Sequence, residues 1–170
     1  MKSTELRLMG ASLAVLVPDR KQGLSLATIQ RDPNPDIPFP GYWELPGGGV
    51  EQHDYTRAGK LGPEVRCARR EAFEEVRILV SEADVIWHAR YPSIADRTAY
   101  NAFVVANGTP DALGSMQLGN EGRRCAFMPV EEFLQRDDVL APHQQRLTDF
   151  LRGTSERALA FEALTSLLPA

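Results

Sequence analysis

Cysteine is scarce in this sequence: Cys67 and Cys125 are the only two among 170 residues. They are far apart in apolar settings, which excludes a disulfide framework and reads as two free thiols in a reducing compartment. Long hydrophobic runs are missing too. The apolar stretch inside "MKSTELRLMGASLAVLV" is about eight residues, against the roughly 20 that a membrane span needs, and no small-residue cleavage site follows it. Positive charge is not in excess. A net charge of −4 removes any general attraction for nucleic acid polymers or anionic membranes. A phosphate-bearing ligand therefore needs local positive charge or a divalent cation. No internal repeat or low-complexity tract occurs. The expectation is a cytoplasmic protein without a membrane segment; its oligomeric state stays open, a homodimer included.

What is present is ordinary globular composition, 43% apolar and 25% charged, in a chain long enough for one domain with a real core. "ASLAVLVPD" and "GLSLATIQR" read as two strands joined by "PDRKQG", the first apolar throughout and hence central. "DPNPDIPFPG" carries four prolines in ten residues, so it is neither helix nor central strand but an ordered, ligand-capable loop. "YWELPGGGVE" is a short strand entering three glycines, and residues 52–62 read as loop. Pro63 suits a first helical turn, with Gly62 as its cap. Val65, Ala68, Ala72, Val76 and Leu79 then mark one apolar helix face. Strands follow at "ADVIWHARY", "TAYNAFVVANG" and "RRCAFMPV", and helices at "EEFLQRD" and "PHQQRLTDFLRG". A last helix over "SERALAFEALTSLL", capped by Ser155, extends a single domain of residues 1–170 through 153–170. Strands and helices mix without strict alternation, which argues against a doubly wound sheet.

The stretch "RREAFEEVRILV" crowds Glu71, Glu74 and Glu75 onto one side of a helix, since positions i, i+3 and i+4 are neighbours. Like charges so placed repel by a few tenths of a kcal/mol per pair, about what the Arg70–Glu74 pair at i,i+4 returns. A solvated acidic face accommodates such a cluster. So does a metal site. The upstream "LPGGG" decides between them, because glycines let main-chain groups approach an ion or ligand closely. Hard carboxylate oxygens suit magnesium or manganese bridging to phosphate, the chemistry of phosphoanhydride cleavage.

On these residues the chain resembles a Nudix hydrolase of the MutT-like kind. The family's box runs Gly, five residues, Glu, seven residues, then Arg-Glu-apolar-x-Glu-Glu-x-Gly-apolar. Gly48 opens it here and "REAFEEVRI" closes it. "NEGRRCAFMPVEEFL" is similar to the family's later acidic loop, which points to Glu121; the likeness spans roughly residues 6–152. The resemblance implies an α/β/α sandwich with a mixed sheet and a loop-helix-loop metal site. It implies a divalent-metal-dependent pyrophosphohydrolase acting on a nucleoside diphosphate linked to another group, an oxidised or ordinary nucleoside triphosphate first. Glu71, Glu74, Glu75 and Glu121, with the Gly47 carbonyl, would hold Mg²⁺ or Mn²⁺. Glu74 or, second, Glu121 would take the proton, and Arg70 would orient the glutamates. Gly48, Gly49 and Arg31 would meet the substrate. The alternative is a Nudix-fold module that senses a nucleotide without cleaving it.

Two departures stand out. Asp54 occupies the place of the box glutamate, and fifteen residues separate it from Arg70 where the family has seven, so residues 55–62, "YTRAGKLG", are extra. The family's glutamate braces the box arginine; Asp54 and Glu64 both qualify for that role here, and the sequence leaves the choice open. The insertion's Arg57 and Lys60 suggest a cationic lid over the phosphates, against an inert surface excursion. The second departure is Arg77 in place of the box glycine, where a left-handed cap costs a side chain about 1–2 kcal/mol. Tyr42 and Trp43 read as packing residues before base-stacking ones. The resemblance puts His143 near a base-reading position, against a plain surface helix residue, which is the reading preferred. His53 is a poor partner for an octahedral magnesium site.

Overall fold

The computed structural model describes residues 6–21 and 23–153. Along the chain these form β1 (Arg7–Asp19), β2 (Gly23–Gln30), β3 (Trp43–Glu44), β4 (Gly47–Gly49), α1 (Gln52–Thr56), α2 (Gly62–Val76), β5 (Val85–Pro92), β6 (Ala99–Asn107), α3 (Ala112–Ser115), β7 (Arg124–Pro129), α4 (Val130–Gln135) and α5 (Ala141–Leu151). The helix expected to begin at Ser155 lies outside the described residues. Among the described residues no helix is long and apolar enough to cross a membrane.

β1 is central, as its unbroken apolar run requires of a strand covered on both faces. It pairs in parallel with β6 along one edge and antiparallel with β2 along the other. The full order is β3-β2-β1-β6-β5, with β4 also on β1 and β7 also on β2. Alternate residues of β1 feed two cores. Ala11, Leu13, Val15 and Val17 pack with Val65, Ala68, Ala72 and Val76 of α2. Ala14 and Leu16 face Phe133 of α4 and Leu147 and Phe150 of α5. The result is a mixed sheet between helical layers. Each fully buried valine or leucine adds about 1.5–3 kcal/mol, so both layers hold the sheet firmly.

One local feature positions the glycine turn against the acidic helix. β1 pairs with β2 only through Leu16–Asp19, and with β4 through Gly10–Ser12. The two long strands splay apart, and the glycine turn enters the opening beneath α2.

Three expectations drawn from the sequence change. Residues 52–62 are not all loop, because Glu51 and Asp54 close a reciprocal capping box that starts α1. The cap of α2 is Leu61, with Gly62 inside the first turn. Leu79 leaves the apolar face and is 83% exposed, because the helix has already ended. It ends at Arg77, which takes the left-handed cap itself at φ 59°, its N–H donating to the Phe73 carbonyl at 3.1 Å. The guanidinium returns over the Phe73 ring, 5.5 Å from its centre. Strain remains in that backbone, so Arg77→Gly is expected to raise unfolding stability by about 1 kcal/mol. Urea denaturation measures this, and a drop in stability would mean that the ring contact outweighs the strain.

Candidate active site

The site begins with helical spacing. Over α2, Arg70, Glu71, Glu74 and Glu75 follow one another around the side that meets the glycine turn. Gly47 donates its N–H to Glu75 Oε2 at 2.9 Å. A Cβ on Gly48 would stand 2.6 Å from the Glu71 carboxylate, so only glycine allows so close an approach.

Arg70 is the hub. Its Nη2 and Nε form a fork onto Asp54 at 3.0 and 3.2 Å. Nη2 also donates to the Gly49 carbonyl at 2.8 Å. Nη1 is shared between Glu71 at 2.8 Å and Glu74 at 2.9 Å. The arginine is therefore braced by Asp54, which has no exposed surface. Glu64 is occupied elsewhere, accepting from Arg90 Nε at 3.0 Å and from the Tyr100 hydroxyl at 2.9 Å. Burial pushes the Asp54 carboxyl up, but the Arg70 fork and the Glu51 N–H outweigh it and hold it below the usual carboxylate range. Asp54→Asn keeps the shape and removes that charge. A hydrogen bond to a charged group is worth about 1.5–3 kcal/mol, and a stability loss of that size is expected. Chemical denaturation equal to wild type would show that Arg70 is braced otherwise.

Glu121 comes from far away in sequence. Gly119 N–H docks on the Glu75 carbonyl at 2.6 Å, and Arg123 N–H on the Gln30 carbonyl at 2.7 Å. The loop between them is thus pinned across the end of α2 and β2. A cavity of about 270 Å³ results, walled by Glu75, Glu121, Glu44 and Arg31. Arg31 Nη1 binds both Glu44 oxygens at 3.0 and 3.1 Å, and its Nε donates to the Pro38 carbonyl at 3.0 Å. The proline-rich loop contributes Asp32 and Ile37 to the same cavity. Glu44 is a site residue that sequence reasoning misses. Its place in "WELPGGG", just before the glycine turn, is the available signal.

The electrostatics of this acidic wall are uneven. Burial pushes the Glu44 carboxyl up despite Arg31. Burial also raises Glu71, with Arg70 opposing and Glu74 and Glu121 adding. Glu75 is pushed furthest, to about 8, by burial and by Glu44, Glu71 and Glu121; only the Gly47 N–H opposes. Among the described residues Glu75 has no cationic partner. As the side chains stand, no three His, Cys, Asp or Glu groups among the described residues converge on one point, since Arg70 draws Glu71 and Glu74 aside. Those two bonds share one Nη1, while Asp54 keeps the fork of Nη2 and Nε. Hard oxygens around a carboxylate that lacks a countercharge fit a divalent cation.

A second cavity of about 280 Å³ lies on the other side of Glu44, over the glycine turn, with Ser12, Asn101, His143 and Arg146 in its walls. His143 is no plain surface residue. Its Nδ1 accepts the Leu45 N–H at 3.0 Å, and burial, with Arg146 and Arg31 nearby, lowers its pKa to about 3. It stays neutral, and the proton sits on Nε2. Trp43 is buried in the core, as a packing residue should be. His53 faces Glu51 at 3.1 Å and Asp54 at 3.8 Å. The insertion is fastened: the Lys60 and Leu61 N–H groups donate to Glu82 at 3.2 and 2.8 Å.

The sequence model of the NUDIX domain matches residues 8–151. No curated protein matches the chain. Among solved structures, a NUDIX hydrolase from Alicyclobacillus acidocaldarius is similar at 16% identity and TM-score 0.67, covering 91% of this chain and 96% of that one. An Ap4A hydrolase from C. elegans, solved as a binary complex, is 20% identical at TM-score 0.60, covering 91% and 98%. The NUDIX domain of Shewanella oneidensis NrtR, complexed with ADP ribose, is 16% identical at TM-score 0.60, covering 95% and 90%. At such identities the structural likeness speaks for the fold.

Proposed function

We propose a substrate class and a division of labour from one premise: the chain belongs to the Nudix hydrolase family, whose members generally cleave phosphoanhydride bonds and use divalent metals. The substrate is a nucleoside diphosphate linked to a further group, with nucleoside triphosphates, ordinary or oxidised, as the first class to test. The observation that carries this reading is Glu75, a buried carboxylate facing three others with no cation of its own. Glu71, Glu74 and Glu75, with the Gly47 carbonyl, would hold Mg²⁺ or Mn²⁺, leaving Glu121 free for the proton. When bound, such a cation supplies neutralisation of phosphate charge and a more acidic water.

The chain's own residues do the rest. Arg70, anchored on Asp54, sets the direction of Glu71 and Glu74 without touching substrate. Glu121, on the wall shared with Glu75, accepts the proton of the attacking water; its position in that wall favours it over Glu74, which turns toward Arg70. Arg31 presents a guanidinium edge to phosphate, and Gly48 and Gly49 permit close approach of the main chain. The cavity over the glycine turn, with the His143 Nε2–H as a fixed donor, takes the nucleoside.

The test is a panel of nucleoside triphosphates, ADP-ribose and dinucleoside polyphosphates, incubated with Mg²⁺ or Mn²⁺ and scored for monophosphate release. Turnover that needs the metal and stops with EDTA is expected for at least one member. Tight binding with no turnover across the panel would overturn the hydrolase reading and leave a sensing module.

A further inference from the structure

Another face of α2 carries a feature that the acidic site does not use. Arg66, Arg69 and Phe73 recur there at helical spacing and line a cavity of about 290 Å³ whose inner wall is Arg70 and Glu74 and whose rim includes Leu79. The Arg66 side chain makes no hydrogen bond or ion pair among the described residues, and its Nε is buried without an acceptor. Among the described residues the Arg69 side chain commits only Nε, to the Val80 carbonyl at 2.6 Å, and both its Nη groups are left over. Glu74, the one carboxylate in these walls, is already bound to Arg70. Two like charges held at i,i+3 repel, and a buried donor without an acceptor is costly. Both costs fall away if an oxyanion bridges the two guanidiniums, whose planar forks match phosphate oxygens.

We propose that this cavity, which backs onto Arg70 and Glu74 from the side away from Glu75, is a second phosphate-binding site in which Arg66 and Arg69 grip one phosphate group. The volume exceeds that of a phosphate ion alone. The rim is apolar, with Phe73 41% and Leu79 83% exposed, so a planar group attached to the phosphate can lie against the ring in place of the Arg77 guanidinium. Inorganic phosphate and the phosphate of a mononucleotide share the recognised chemistry, and Phe73 separates them.

The experiment follows arginine Nε–H and aromatic resonances of the full chain in EDTA at constant ionic strength, titrated with inorganic phosphate and then with AMP. Saturable shifts at Arg66 and Arg69 are expected, weakened at least tenfold in Arg66→Ala and by less in Arg66→Lys, which keeps the charge and loses the fork. Tighter binding of AMP with shifts at Phe73 identifies the nucleotide as the better ligand; equal affinities identify the free anion. Shifts that never saturate, or that are unchanged in both Arg66 variants, would overturn the site.

Discussion

Glu121→Gln is expected to lower kcat for metal-dependent hydrolysis by about 10²–10⁴-fold, the loss of a general base. The fold should survive, because glutamine keeps the volume of the side chain. The main-chain bonds that dock the loop, Gly119 N–H to Glu75 and Arg123 N–H to Gln30, do not involve the Glu121 carboxylate. Glu74→Gln is the companion measurement. Loss of a ligand weakens metal affinity and is partly recovered at high Mn²⁺, whereas loss of a proton acceptor is not. A Glu121→Gln enzyme with near wild-type kcat, beside a dead Glu74→Gln enzyme that Mn²⁺ cannot restore, would transfer the base to Glu74.

The second large effect concerns Glu75 and pH. Its carboxyl is raised from the ordinary 4.5 to about 8 in the fold. Between those values the native state holds a proton that the unfolded chain has lost, so folding stability falls as pH rises. Below about 4.5 both states are protonated and the contribution is at its fullest; above about 8 both are ionised and it is gone. At about 1.4 kcal/mol per pKa unit the change amounts to several kcal/mol. In EDTA the melting temperature should therefore drop from pH 5 to pH 8, and Glu75→Gln should flatten that drop. Mg²⁺ or Mn²⁺ should raise the melting temperature more at pH 8, where the ionised carboxylate is available as a ligand. A metal-induced rise of the same size in wild type and Glu75→Gln would remove Glu75 from the ligand set.

Helical geometry made part of the site legible from the sequence. The spacing of Arg70, Glu71, Glu74 and Glu75 settles which side of α2 each occupies, because 3.6 residues per turn leave little freedom. The same periodicity marks Val65, Ala68, Ala72 and Val76 as the buried stripe, and the unbroken apolar run of β1 marks the central strand. Leu79 departs from the stripe because periodicity carries no stop signal when an arginine replaces the cap glycine.

The sequence by itself determined what local geometry controls: the acidic helix, the glycine turn before it, and a sheet covered on both sides. Only the tertiary structure decided that Asp54, 16 residues before Arg70, is its brace, and that Glu64 belongs to Arg90 and Tyr100. It also decided that Glu44 joins the acidic wall, that the Glu121 loop docks against Glu75, and that His143 accepts a hydrogen bond from Leu45, 98 residues away. The reason is physical. Glu44, Glu75, Glu121 and His143 gather around the opening where β1 and β2 splay and β4 fills the gap. Glu64 meets its partners on β5 and β6. Both arrangements are set by the packing of whole layers. No spacing along the chain encodes them.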